Sequence, residues 1–536
     1  MNRGFSTIEL LIASALALMF LSAMYVVSFG DQSTILSGET NAEAVAKTQA
    51  MLEQEQANGR QDFNLVNSTS STDGIYTKKV TVNLLPDLLT KQVVASTTWK
   101  DDHNRSQYVA VTTLITDLDN VNNPDTCNSS LTNPTGWKSP LYYSFDFLGL
   151  LPPPNSNGVP LSGVQVLNKK LYVISSSPPN TIPQTFYIFS VSSNLATPPT
   201  LQGRVDNNSG SSQGLNALSV ASTTSNVYAY VANSFTSNFN TCASVGPSCA
   251  QLQVIDATTP TAPSVVTNYM VPTTTTPFIH GSGGQAIGKS VLYKDGYVYL
   301  GLAKTASGPE FIILDAGGGG AGGTATSPKY LGSYSVGFTV NAITVKGDYA
   351  YLATTDTAAG NKRLLILNIS DKTNPRLTSS PVGGFYTASG IGVGNAVYVV
   401  GAKIYFGTAF SGSAVPNFYI LNGTTPGSYP TSLSQYGTGT NTGTNFSVNG
   451  IVVRDYLAFV LSDDGSSSGQ FQVWNVTNPA SPAPYTTNGL TSGFLNMSTL
   501  NSKGGAAFDC EGDVFYMALK TTQGNSKDLI GVITHS

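Results

Sequence analysis

The chain has 536 residues, enough for two or three domains, and its 26 Lys and Arg nearly balance its 30 Asp and Glu for a net charge of −4. Only 10% of residues are charged while Gly, Ser, Thr and Asn abound, so the surface is polar but weakly charged. No stripe of clustered Lys and Arg occurs, which excludes nucleic acid as a partner.

The first element follows Met1-Asn2-Arg3-Gly4: an apolar run from Phe5 to Phe29 in which Glu9 is the one charged residue. Its 29 − 5 + 1 = 25 residues suffice to cross a bilayer of about 30 Å. A lone carboxylate there costs about 2.5 to 3.5 kcal/mol on insertion scales, so it calls for a partner. The segment Gly4-Phe5-Ser6-Thr7-Ile8-Glu9-Leu10-Leu11-Ile12-Ala13 resembles the N-terminus of a type IV prepilin or pseudopilin. The resemblance implies cleavage between Gly4 and Phe5 by a prepilin peptidase, N-methylation of Phe5 and retention of the apolar helix. Glu9 lies 9 − 5 = 4 residues from the new terminus, one helical turn, so it reaches the ammonium of its own or a neighbouring subunit. Glu9 is therefore read as an assembly residue. The implied locations are the inner membrane for the precursor and an extracellular filament at the cell surface after assembly. A removable secretory signal or a plain membrane anchor leaves Glu9 unexplained.

Ser33 to Arg60 continues as a helix, with an intermittent apolar stripe and no proline before Pro86. Many major pilins carry a proline where this chain has Val26, a departure that leans toward a minor pilin or pseudopilin. Strand patterns follow at Ile75–Leu84, Gln92–Trp99 and Tyr108–Thr116, similar to the small sheet of minor pilins. The expected order is a leader (1–4), an assembly helix (5–60), a pilin-like sheet (61–118), a linker (119–138) and a large all-β domain (139–536).

That last region repeats. Short aromatic strands recur at Leu171-Tyr172-Val173, Val227-Tyr228-Ala229, Val298-Tyr299-Leu300, Ala350-Tyr351-Leu352, Ile404-Tyr405-Phe406, Leu457-Ala458-Phe459 and Val514-Phe515-Tyr516. From Tyr299 the aromatic spacings are 351 − 299 = 52, 405 − 351 = 54, 459 − 405 = 54 and 516 − 459 = 57. A second apolar strand follows most of them, as in Phe311-Ile312-Ile313-Leu314-Asp315 and Leu364-Leu365-Ile366-Leu367-Asn368. Each period holds about four strands, the content of a propeller blade. Asp256-Ala257-Thr258-Thr259-Pro260 and Asn475-Val476-Thr477-Asn478-Pro479 resemble LVIVD-type repeats, which form β-propellers. The expected fold is thus an α+β pilin module followed by a seven-bladed β-propeller, with Leu141–Leu148 supplying the outer strand that the last unit lacks.

Four cysteines behind an export signal predict two disulfides among three possible pairings. Cys242 and Cys249 bracket a short loop and are expected to pair, which leaves Cys127 to Cys510. Asp117, Asp119, Asn122 and Asp125 supply hard oxygen ligands for calcium, but Val121 takes a ligand position and no glutamate closes the loop, so an Asx-rich linker fits better. No other cofactor is expected. Gly465-Ser466-Ser467-Ser468-Gly469 matches a nucleophile-elbow spacing without the required strand-to-helix setting, and Gly317–Gly323 reads as a flexible connector. His103, His280 and His535 are scattered, so no enzyme activity is expected.

The functional expectation is a minor type IV pilin-like subunit that joins a filament through its N-terminal helix. Its partners are other pilin subunits and the assembly machinery, and its large domain meets an unknown surface or glycan ligand, at the tip on grounds of bulk. The alternatives are a shaft pilin decorated by its propeller, a type II secretion pseudopilin, and a carbohydrate-binding or enzymatic propeller borne on the filament.

Overall fold

A computed structural model describes residues 12, 14–20, 35–61, 63, 66–85, 90–101, 104–116, 127, 131–151, 160–176, 184–206, 214–223, 225–234, 250–271, 287–304, 308–356, 362–378, 385–386, 392–401, 403–412, 415–423, 436, 446–464, 470–485, 494–495, 502–521 and 528–536. The chain forms two compact units, Met1–Thr116 and Asp117–Ser536.

In the first unit, helix α1 (Ile35–Gln61) is built from good helix formers such as Ala, Gln, Glu and Met. It packs on one face of sheet A, an antiparallel meander of Thr69–Asp73, Tyr76–Leu84, Thr90–Lys100 and Ser106–Thr116. Alternation along Thr90–Lys100 decides which side chains meet the helix: Val93, Ala95, Thr97 and Trp99 are buried, and Thr98 and Lys100 are exposed. Ala44 packs with Tyr76 and Trp99, and Met51 and Leu52 lie against Phe63, Val66, Val80, Val93 and Ile115. Thr48 Oγ1 lies 2.7 Å from Thr97 Oγ1, joining helix to sheet inside this core.

Two expectations are corrected here. The helix expected over 5–60 is not found as one long N-terminal element: among the described residues, 12 and 14–20 are helical and α1 spans Ile35–Gln61, and the rest of the described protein is nearly all strand. Among the described residues no helix is long and apolar enough to cross a membrane. The physical reason in α1 is its charge, with Glu39, Glu43, Lys47, Glu53, Glu55 and Arg60 along it. The expected inner-membrane precursor is thus not supported by any spanning helix among the described residues.

Among the described residues, the second unit shows five small sheets and one of nine strands in place of the expected seven separate blades. Sheets B (161–206), C (214–269) and D (288–334) each have four strands, E (340–386) has five, and F (394–422) has three described strands. Sheet G carries the strands from Phe446 to Thr534 and ends on Leu141–Asp146, which pairs antiparallel with Leu529–Thr534. Its two halves merge at one bridge, Asp463 with Gly504. Register shifts at Ser502/Gly504 and Gly505/Ala507 bring the strand in, and a Cβ on Gly505 would collide with the Leu461 side chain, so only glycine allows the approach.

The core lies between successive sheets. In sheet E the strand Leu364–Asn368 is buried on both faces. Leu364 and Ile366 pack with Ile404 and Phe406 of sheet F, and Leu365 and Leu367 pack with Phe311 and Ile313 of sheet D. That double burial explains the continuous apolar run, where a half-exposed strand would alternate. Tyr516, Ala518, Ile530 and Val532 of sheet G pack with Leu171, Val173 and Tyr187 of sheet B, so the succession returns to its start.

Candidate functional site

The first strands of the sheets organise the centre of the second unit. Neighbouring first strands run side by side, 161–167 against 214–222, then 288–294, 340–346, 394–400, 446–454 and 502–511, with the last again beside 161–167. Each carries a register shift near its start, at Leu161/Gly163, Leu215/Ala217, Gly288/Ser290, Val340/Ala342, Gly394/Ala396 and Val448/Gly450, besides those at 502–507. The bulges aim short polar side chains at the next sheet. Asn216 Nδ2 donates to Gly288 O (2.7 Å), Ser290 Oγ to Val340 O (2.8 Å), Asn341 Nδ2 to Gly394 O (2.8 Å), and Asn449 Nδ2 to Gly505 O (2.9 Å). Ser162 Oγ donates likewise to Leu215 O. These bonds replace the ladder that ends at each sheet's first strand, so the inner edges are satisfied sideways.

Antiparallel meanders separate two ends. At one end lie tight turns such as Asn168-Lys169 and Asp295-Gly296, whose positive φ values (53° and 55°, 54° and 79°) suit two-residue hairpins. The connections from third to fourth strands also turn here, and in sheets C, D, E and G the final Asp or Asn of the third strand caps the turn. Asp256 Oδ1 accepts from Thr258 N, and Asn475 Oδ1 from Thr477 N, each at 2.9 Å. Asp315 goes furthest, accepting the backbone N–H groups of Gly317 (2.9 Å), Gly319 (3.0 Å), Ala321 (2.9 Å) and Gly323 (3.0 Å). Burial alone would raise its pKa, but these four donors outweigh it and bring the carboxyl down to about 2. The run read as a flexible connector is thus a cage around one carboxylate.

The same end carries a clasp. Asp513 accepts from Thr132 N (2.8 Å) and Asn133 N (3.3 Å), and pairs with Arg454 Nη2 (3.0 Å) and His535 Nε2 (3.5 Å). Burial would raise its pKa, yet the Thr132 hydroxyl, Arg454 and the backbone donors hold it below the ordinary carboxylate range. Cys127 is disulfide-bonded to Cys510, 383 residues away. Trp137, expected in a linker, is fully buried, edge-on to Phe459 (4.7 Å) and Phe515 (5.4 Å).

At the other end the connections are long. The described strand ends there are linked in sequence by residues 152–159, 177–183, 207–213, 235–249, 272–286, 437–445 and 465–469, which lie outside the described residues and consist chiefly of Ser, Thr, Asn, Gly and Pro. Between 152 and 527, the stretches outside the described residues contain Lys527 as their one Asp, Glu, Lys or Arg. Carboxylates at the stems turn inward. Glu310 Oε2 accepts from Val336 N (3.0 Å) and Gly337 N (2.8 Å), Asp463 Oδ1 from Ser447 N (2.9 Å), and Asp528 Oδ2 from Leu161 N (2.6 Å). By composition, the segments that join this end are rich in neutral hydroxyl and amide groups, and the described strand ends that flank them are held by these carboxylates.

Of the residues singled out from sequence, Gly4, Phe5, Glu9, Cys242, Cys249, Asp117, Asp119, Asn122 and Asp125 lie outside the described residues, as do His103, His280 and Ser467. Among the described residues no group of three or more His, Cys, Asp or Glu is placed to hold a metal ion. Sequence reading missed the asparagines at the bulges and the stem carboxylates; the recurrence of Asn at 341, 395 and 449, at spacings of 54, was the available signal.

Residues 339–381 match the LVIVD repeat. The match coincides with most of sheet E, whose third strand supplies the doubly buried apolar run and whose Asn368 caps the following turn, accepting from Ser370 N at 2.9 Å. No curated protein matches the chain. Among solved structures it is similar to a DUF4623 family protein from Bacteroides eggerthii, at 12% identity over 88% of this chain and 87% of that one with a TM-score of 0.32, a likeness too low to carry any property across.

Proposed function

We propose that the protein is a minor type IV pilin-like subunit, incorporated into a filament through its N-terminal segment and presenting the loop-bearing end of its second unit for adhesion. The observation that carries this reading is Glu9. It is the only charged residue from Phe5 to Phe29 and stands four residues beyond the Gly4-Phe5 junction in sequence, where a processed, charged terminus would give it a counter-ion. The second unit spans 536 − 117 + 1 = 420 residues, for which a radius of gyration of about 22 Å is expected. A head of that bulk favours a filament tip, where no subunit packs above it. The neutral loop end supports a neutral, hydroxyl-rich ligand such as a surface glycan, because hydrogen bonds rather than ion pairs are available to it.

Mass spectrometry of the mature N-terminus tests the processing step: the expected product starts at methylated Phe5, and a product starting beyond Ala23 defeats the proposal. Glu9→Leu should leave the protein synthesised and folded but absent from purified filaments. Normal incorporation of that variant would remove Glu9 from its assigned role.

A further inference from the structure

Sheet A has two unlike edges. The Thr69–Asp73 edge is five residues long and guarded by charge, with Asp73 bound to Lys47 (2.7 Å) and Lys78 (3.2 Å). The Ser106–Thr116 edge runs eleven residues, contains no charged residue and no proline, and among the described residues pairs only with Thr90–Lys100. Natural sheets usually protect such an edge with Lys, Pro or a bulge. This strand has none of these, and it exposes Tyr108 (64%) and Leu114 (61%) on the face away from α1.

We propose that this edge is a docking surface for a second copy of the same strand, forming a continuous eight-stranded sheet across a two-fold axis at Val111. The sequence of the strand is what selects that occupant. In antiparallel self-pairing centred on Val111, residue i faces residue 222 − i. Tyr108 then meets the partner copy's Leu114, so the two large exposed apolar side chains cover one another. Ala110 meets Thr112, and no like charges oppose. Facing positions have the same parity, so every side chain keeps its side of the sheet, and the helix-covered face stays continuous with its counterpart. A strand of eleven residues offers an edge of roughly 37 Å at the usual rise.

In this register Val111 is the only residue that faces itself, which makes the test sharp. In the full-length chain, Val111→Cys should form an intermolecular disulfide on mild oxidation, because directly opposed cross-strand positions lie within disulfide reach. Thr113→Cys, which would face Val109, should not. The unaltered protein should sediment at about twice 56.1 kDa. Thr112→Lys combined with Leu114→Lys, both at exposed positions, should return it to the single-chain mass with an unchanged melting temperature. Equal cross-linking at 111 and 113 overturns the register. A chain that remains monomeric at all concentrations, including one that binds other extended polypeptides, overturns the self-pairing.

Discussion

The two ends of the second unit are made by the same strands yet solve opposite problems. At the turn end the chain reverses in two residues or caps itself with Asp and Asn, and charged groups are committed to fixed partners, Asp315 to four backbone donors and Asp513 to Arg454 and Thr132. At the loop end the connections lengthen and lose their charge, and the remaining carboxylates bind the loop stems from within. The side-chain ties of the turn end are made where the backbone is shortest, and the other end carries long, neutral sequence between strand ends held by their own stem bonds. That division of labour is common where loops bind and a scaffold holds.

The comparison breaks most visibly at Asp513. Asp513→Asn leaves Arg454 buried without its counter-charge, and a loss of about 3–5 kcal/mol is expected, read as a lower denaturant midpoint for the second unit. At Asp315, replacement by Asn removes the charge from four backbone donors and should cost about 1–3 kcal/mol. Both carboxyls are depressed in the folded state, so their contributions are fully present above the unfolded value, about 3.9, and are lost as pH falls through the folded one. For Asp315 that window closes at about 2. Acid melting curves of the parent and Asp315→Asn should therefore converge toward pH 2 and separate above pH 4. At the bulge near the start of its strand, Asn341→Ala removes the bond to Gly394 O and should cost about 1 kcal/mol, with sheets E and F losing hydrogen-exchange protection first. The smallest effect on stability belongs to the loop end: Ser467→Lys should change it by no more than about 0.5 kcal/mol while weakening retention on a panel of neutral glycans. A Ser467→Lys protein that melts early would contradict the division drawn above.

Much of the strand content was legible because double burial writes long apolar runs. Phe311–Asp315, Leu364–Asn368 and Phe418–Asn422 could be picked out without coordinates, and so could Leu141–Leu148, whose Leu141–Asp146 pairs with Leu529–Thr534. What escaped reading depends on partners far away in sequence. Trp137 sits in a stretch that reads as a polar joint, and only the convergence of Phe459 and Phe515 makes it core. Gly317–Gly323 has the composition of a flexible linker, and the buried carboxylate it encloses turns it into an ordered cage. The long helix expected over 5–60 went wrong for a related reason. Absence of proline permits one long helix without requiring it; residues 14–20 are helical too, and α1 is the helix that a sheet covers.

By itself the sequence determined the repeat, the doubly buried third strands, the caps at their ends and the lone carboxylate at position 9, since each is a local or periodic consequence of which side chains can face water. The tertiary structure alone decided that the last two repeats share one nine-stranded sheet, that asparagines at the bulges bond the sheets sideways, and that the stem carboxylates turn inward to backbone donors. These features depend on which backbone groups remain unpaired once the sheets are assembled. That is a property of neighbours up to hundreds of residues apart, and no local pattern encodes it.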